Sequence, residues 1–172
     1  TGTGNLTLDQ SITVTGAGDS VVLSTPAALV NNAGAAAIDP GSGRWLIYTA
    51  DPAGNTYGGL LSGNQALYDR TFATAPPASI AETGNRYLFA NQPVLTATAT
   101  LTDSKTYGDL FTFPAPVEGT HYALSGFVDA SAFGGVFTQD TAANIGLSGA
   151  PVLSSAGAPA TATVAGSSYA VD

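Results

Sequence analysis

Gly43-Arg44-Trp45-Leu46-Ile47-Tyr48-Thr49-Ala50-Asp51-Pro52 is the stretch on which the fold is read. It holds the chain's only tryptophan and one of its four cationic side chains. A turn, Pro40-Gly41-Ser42-Gly43, precedes it, and Asp51-Pro52 ends it. Between them Arg44–Thr49 is apolar at consecutive positions, so both faces of an extended chain must be covered. A strand buried on both sides, set among Ala, Gly, Thr and Ser, is the seed of the reading.

On its N-terminal side, Leu6, Leu8, Ile12 and Val14 share one parity across Asn5–Thr15, the period-2 mark of a half-buried strand. Gly16-Ala17-Gly18-Asp19 breaks the pattern and Ser20–Thr25 resumes it. Asn31-Asn32-Ala33-Gly34 is a turn signal, because Asn and Gly tolerate left-handed backbone; Ala35–Asp39 leads to the next turn. Strands this short and this closely punctuated suit either a sandwich or the coils of a β-solenoid. Small residues at the turns favour the solenoid, whose coils stack about 4.8 Å apart.

On its C-terminal side, residues 50–92 are irregular until Arg86-Tyr87-Leu88-Phe89, a short strand. Asn91-Gln92-Pro93 marks a boundary, because proline blocks strand continuation. The chain thus divides into 1–92 and 93–172. In the second part, Leu95, Ala97, Ala99 and Leu101 alternate with Thr96, Thr98, Thr100 and Thr102, giving an apolar face and a hydroxyl face. Leu110–Phe113 follows, the strand-like piece Ala160–Val164 and the ending Ser168–Val171 close the unit, and Ala130–Gly135 and Thr141–Leu147 could hold short helical turns.

Composition narrows the function. Charged residues make up 9% of 172, against roughly 25% in an average soluble protein. Net charge is −8, with twelve acids and four cations. That balance cannot supply the positive footprint that phosphate backbones or anionic lipid require, so nucleic acid and membrane insertion are not expected. With no cysteine, disulfide staples, thiolate zinc sites and thiol redox chemistry are excluded. With no methionine, the chain reads as a processed or excised piece of something longer. No apolar run approaches the roughly 18 residues of a membrane span.

The segment Gly43–Tyr48, followed by Asp51-Pro52, Gly58-Gly59-Leu60 and Asn85-Arg86-Tyr87-Leu88-Phe89-Ala90, resembles the C-terminal region of filamentous haemagglutinin-type, two-partner secreted bacterial adhesins. Lys105-Thr106-Tyr107-Gly108-Asp109, after the Thr-alternating strand, is similar to the Tyr-Gly (MBG or YDG type) modules of such adhesins. The resemblance implies the terminal coils and cap of a right-handed β-solenoid, then a small antiparallel β-rich module of β-grasp-like type. It implies a non-enzymatic, secreted or surface-displayed protein of a Gram-negative bacterium, exported by an outer-membrane secretion partner. Its role would be stalk or spacer, and attachment to a glycan or protein of a host or neighbouring cell.

Individual residues carry competing readings. Arg44, Trp45 and Tyr48 could form a sugar platform, since aromatic faces and guanidinium forks recognise carbohydrate and carboxylate; Tyr57 and Tyr68 would extend it. The plainer reading has Trp45 plugging the open end of the solenoid core and Arg44 paired to Asp51 or a carbonyl. Asp103 and Asp109 could take calcium through carboxylate oxygens, or simply close the turn at Gly108. His121, the only histidine, reads as a hydrogen-bonded side chain in a turn entering a strand, and no Gly-x-Ser-x-Gly elbow seats a nucleophile. Glycoside hydrolase or lyase chemistry finds only two glutamates, Glu82 and Glu118, far apart in sequence. A threonine row suited to ice needs more than one strand. No cofactor is expected.

Overall fold

The computed structural model describes residues 3–147, 149–166 and 168–172. The protein is all-β: a solenoid of stacked parallel strands, and a small antiparallel sheet. By contacts the chain forms two compact units, Thr1–Pro93 with Val128–Asp140, and Val94–Phe127 with Thr141–Asp172. The boundary expected at 92/93 therefore lies beside the observed one, but the second stretch is interrupted. Residues 128–140 return to the first unit.

The first coil carries β1 (Leu6–Leu8), β2 (Ile12–Thr13) and β3 (Asp19–Ser24), and the second carries β4 (Leu29–Asn31), β5 (Ile38–Asp39) and β6 (Arg44–Thr49). Each strand pairs in parallel with its counterpart: Leu6 faces Leu29, Ile12 faces Ile38, and Val22 faces Leu46. The strand read across Asn5–Thr15 is two strands, β1 and β2. Asp9, Gln10 and Ser11 turn a solenoid corner between them while the apolar parity continues. A further rung begins at Thr56, which bridges to Val30.

The third ladder has an unusual order. β7 (Leu67–Tyr68) precedes β8 (Arg86–Phe89) in sequence, yet β8 pairs with β6 on one side and β7 on the other. The chain skips one rung and returns to fill it. The intervening loop, with a 3-10 turn at Pro77–Ser79, lays Ala75 and Ile80 over Leu46, Tyr48 and Leu88. This explains the unbroken apolar run of β6. Trp45 and Ile47 face the interior of the coils, and Leu46 and Tyr48 face the loop that covers the outside.

The interior is aromatic. Trp45 meets Tyr87 edge-on at 4.9 Å, Tyr57 meets Tyr87 at 5.0 Å, and Tyr87 stacks on Phe89 at 6.4 Å. Full burial of a side chain of this size is worth about 1.5–3 kcal/mol. Polar atoms inside are satisfied from loops: Asn31, 2% exposed, donates through Nδ2 to the carbonyls of Gly34 (2.9 Å) and Tyr57 (2.8 Å) and accepts through Oδ1 from the Ala33 and Gly34 amides. Gly58 has φ +58, and a Cβ there would fall 2.7 Å from the Asn31 carbonyl, so only glycine fits beneath this turn.

The plug at the end of the core is not Trp45. That indole lies on β6, between β3 and β8, and is 1% exposed. The cap is the returning segment. The Ser62 amide donates to the Val136 carbonyl (2.8 Å), the Thr138 amide donates to Asn64 (3.0 Å), and Gln65 bridges Thr138 in parallel. A 3-10 turn at Ala130–Phe133 precedes it, within the expected helical stretch. Ala130, Val136 and Phe137 are buried, and Phe137 packs against Phe89 (5.9 Å), Tyr57 (6.1 Å) and Tyr87 (6.2 Å).

In the second unit β9 (Thr96–Ala99) pairs antiparallel with β10 (Tyr122–Ser125), Ala97 opposite Leu124. The piece expected as strand-like at Ala160–Val164 is not a strand, and Val164–Gly166 forms a 3-10 turn. Among the described residues, Ala162 donates to the Pro159 carbonyl in a turn (3.1 Å), and beside the ending Ser168–Val171, Ser154 and Asp172 exchange a reciprocal pair, 2.9 Å each way. Among the described residues of this unit, Leu153 is the single buried hydrophobic side chain. Without a core to press against, alternation alone does not make a strand.

Candidate functional site

The sequence points first to Arg44, at the start of β6. Its guanidinium donates Nε to the Asp19 carboxylate, Nη2 to the Ile80 carbonyl (3.0 Å) and Nη1 to the Glu82 carbonyl. Asp51 is not its partner; that carboxylate accepts from the Gly54 amide at 2.9 Å in its own turn. Arg44 thus joins the first coil, the second coil and the covering loop through one planar fork. The Trp45 amide is likewise taken, donating to Asn85 Oδ1 at 2.9 Å.

The sugar platform is not assembled. Trp45, Tyr48 and Tyr57 are 1%, 2% and 5% exposed, so none has a face to offer a ring, and Tyr68 is half-buried. Their hydroxyls are committed inward: Tyr48 donates to the Ala75 carbonyl (2.9 Å) and Tyr57 to the Pro52 carbonyl (2.9 Å). Burial pushes the ionisation of Tyr57 up to about 12 and raises that of Tyr87, whose hydroxyl donates to Leu60. Among the described residues nothing lies at hydrogen-bond geometry to the buried Tyr68 hydroxyl; burial raises its ionisation too, and the nearby Asp140 carboxylate adds to the effect. Sequence reasoning erred here because aromatic richness does not tell a binding face from a core.

The remaining cations follow Arg44. Arg86 donates to the carbonyls of Gln65 (2.9 Å) and Thr83 (3.2 Å), and Arg70 donates to its neighbour Asp69 (3.0 Å). Lys105 donates to the carbonyls of Asp109 (2.9 Å), Ala158 (3.1 Å) and Pro159 (2.5 Å). All four cations of the chain hold main-chain oxygens. This is the pattern the sequence did not announce. Irregular loops leave carbonyls without ladder partners, and long cationic side chains satisfy them.

Asp103 and Asp109 do not form a calcium loop. Asp103 Oδ1 accepts from the adjacent Ser104 amide (2.7 Å), and the Asp109 carbonyl faces Lys105. Among the described residues no group of three or more His, Asp or Glu side chains is placed to hold a metal ion. His121 Nδ1 lies 3.1 Å from the Val117 amide, which donates to it, and 3.0 Å from the Ala115 carbonyl, at the entrance to β10.

One cleft in the second unit has a volume of about 420 Å³, with Leu101, Lys105, Tyr107, Phe111, Phe113 and Tyr169 in its wall. Tyr107 is 70% exposed, while Tyr169 donates to the Thr163 carbonyl (2.9 Å). The cleft is therefore the loosely filled interior of this unit, braced by Lys105. No helix of the described residues is long and apolar enough to cross a membrane. Comparisons with protein-family models, with curated proteins and with solved structures found no match.

Proposed function

We propose that this chain is a non-catalytic piece of a secreted bacterial surface adhesin of the filamentous haemagglutinin type, serving as stalk or spacer, with its second unit an MBG/YDG-type module. The observation that carries the reading is the commitment of Arg44, Arg86 and Lys105 to main-chain carbonyls of distant segments, and of Trp45, Tyr48, Tyr57, Tyr87, Phe89 and Phe137 to the core. Side chains that serve recognition elsewhere are here used for cohesion. The parallel ladder from β3 to β7 adds stiffness, because each coil shares main-chain hydrogen bonds with the next. In this reading export depends on an outer-membrane partner, and contact with a host or neighbouring cell extends from the stalk.

Optical-tweezers unfolding of the chain, held at its two ends, tests the mechanical part. The solenoid unit should rupture in one step at a force above that of the second unit. Rupture at or below the force of the second unit refutes the stalk. A glycan array provides the counter-test: saturable binding lost in Tyr107→Ala would place recognition in the cleft instead.

A further inference from the structure

We propose that the outer edge of β9 is a homodimerisation edge, at which two copies of this chain join antiparallel about a two-fold axis through Thr98. This goes beyond the stalk reading and does not depend on it. Residues Leu95-Thr96-Ala97-Thr98-Ala99-Thr100-Leu101 read identically in both directions. Antiparallel pairing about Thr98 therefore sets Leu95 opposite the second copy's Leu101, Thr96 opposite Thr100, and Ala97 opposite Ala99. A two-fold requires only that each contact be reciprocated; the palindrome adds that every cross-strand pair is matched in type and size, Leu with Leu, Thr with Thr and Ala with Ala.

The backbone has the matching parity. The Thr100 amide donates to the His121 carbonyl at 2.9 Å, and the register continues as Ala99 to Tyr122 and Thr98 to Ala123. Antiparallel pairs alternate between bonded and non-bonded, so Thr96, Thr98 and Thr100 aim their polar groups at β10. Ala97 and Ala99 aim theirs away, toward an edge on which no described residue pairs. A two-fold at Thr98 makes Ala97 and Ala99 of the two copies mutual hydrogen-bonding partners. A register shifted by one residue would not.

The edge is also unguarded. Strand edges exposed to solvent are ordinarily blunted by charge, proline or a bulge. From Val94 to Thr102 there is no charge, no proline and no glycine. Thr96, Ala97 and Thr98 are exposed, and Val94 is 81% exposed. An isolated pair of strands is marginal in water, and this unit has almost no core to offset that. Joining two copies gives a sheet in the order β10, β9, β9, β10, with one Leu/Ala face and one Thr face. The two-fold consumes the β9 edge of both copies, so this edge supports no growth beyond the dimer.

The native chain has no cysteine, which permits a clean test by single-cysteine substitution from 95 to 101 in the full chain. Thr98→Cys alone places two thiols directly opposite at a non-bonded pair, about 4.5 Å between Cα atoms, inside the range a disulfide spans. Oxidation should give linked dimers with a maximum at 98, and sedimentation equilibrium of the cysteine-free chain should show a monomer–dimer equilibrium. Ala97→Pro removes an outward donor without touching the bonds to β10 and should weaken the dimer at least about tenfold. Thr98→Lys sets like charges face to face and should do the same, with circular dichroism unchanged. A monomer at every concentration, cross-linking without a maximum at 98, or assembly beyond the dimer overturns the proposal.

Discussion

Replacing Phe137 by alanine removes the ring that closes the solenoid core from a segment 44 residues beyond Pro93. The side chain is 3% exposed and touches Tyr57, Tyr87, Phe89 and Phe133. Truncations of buried Phe cost about 3–5 kcal/mol. A ring meeting four others belongs near the middle of that range, about 4 kcal/mol, against a whole-domain stability of about 5–15 kcal/mol. Trp45, buried and single, is a natural fluorescent reporter of this unit alone. With a urea dependence of about 2 kcal/mol per molar, the midpoint read at Trp45 should fall by about 2 M. Val152→Ala, at a site 87% exposed in the second unit, should leave it within about 0.5 kcal/mol. A fall of less than about 0.5 M for Phe137→Ala would mean that 128–140 merely rests on the solenoid, and the cap would have to be sought elsewhere.

Asn31→Ala removes four hydrogen bonds, but the Gly34 and Tyr57 carbonyls keep the Ala37 and Leu60 amides and the Ala33 amide keeps the Leu8 carbonyl. The Gly34 amide is the group left exposed to loss, so the cost should be about 1–3 kcal/mol; calorimetry will read it, and a loss under about 0.5 kcal/mol contradicts the bonding described. Arg44→Lys should recover only part of what Arg44→Ala loses, since an ammonium cannot match a fork bonded to Asp19, Ile80 and Glu82; full recovery in thermal melts would make the interaction one of charge alone. The Tyr57, Tyr68 and Tyr87 hydroxyls ionise higher in the folded chain than in the unfolded one. Above pH ~10 the unfolded state has therefore lost protons that the folded state keeps. Their contribution is complete below that pH and declines as pH rises toward and past about 12, so unfolding free energies at pH 9.5 and 11.5 should differ, the second being smaller. Equal values would mean these rings are accessible to hydroxide.

What could be read from the sequence was local. Leu6, Leu8, Ile12 and Val14 disclosed extended chain because side-chain alternation survives a corner, and Arg44–Thr49 disclosed a strand covered on both faces. The coil period stayed hidden because the offset varies around the coil: Leu29 follows Leu6 by 23 residues, Ile38 follows Ile12 by 26, and Leu46 follows Val22 by 24. Arg44 was visible as unusual, but its partners lie 25 to 38 residues away, and nothing short-range selects Asp19 over Asp51. Trp45 was mistaken for a plug because a lone large ring in a small-residue chain fits the core equally well. Phe133 and Phe137 gave no signal, since their destination is set by tertiary closure over residues 94–127.

The placement of β8 between β6 and β7 carries a consequence for how this protein is made. A solenoid can ordinarily be laid down rung by rung as its polypeptide emerges, each turn templating the next. Here that order fails: Leu67 and Tyr68 appear first but belong one layer further out, and the upper side of β6 must stay vacant until residues 86–89 arrive. The last layers therefore condense together, in a single late event, after the sequential part of assembly has ended.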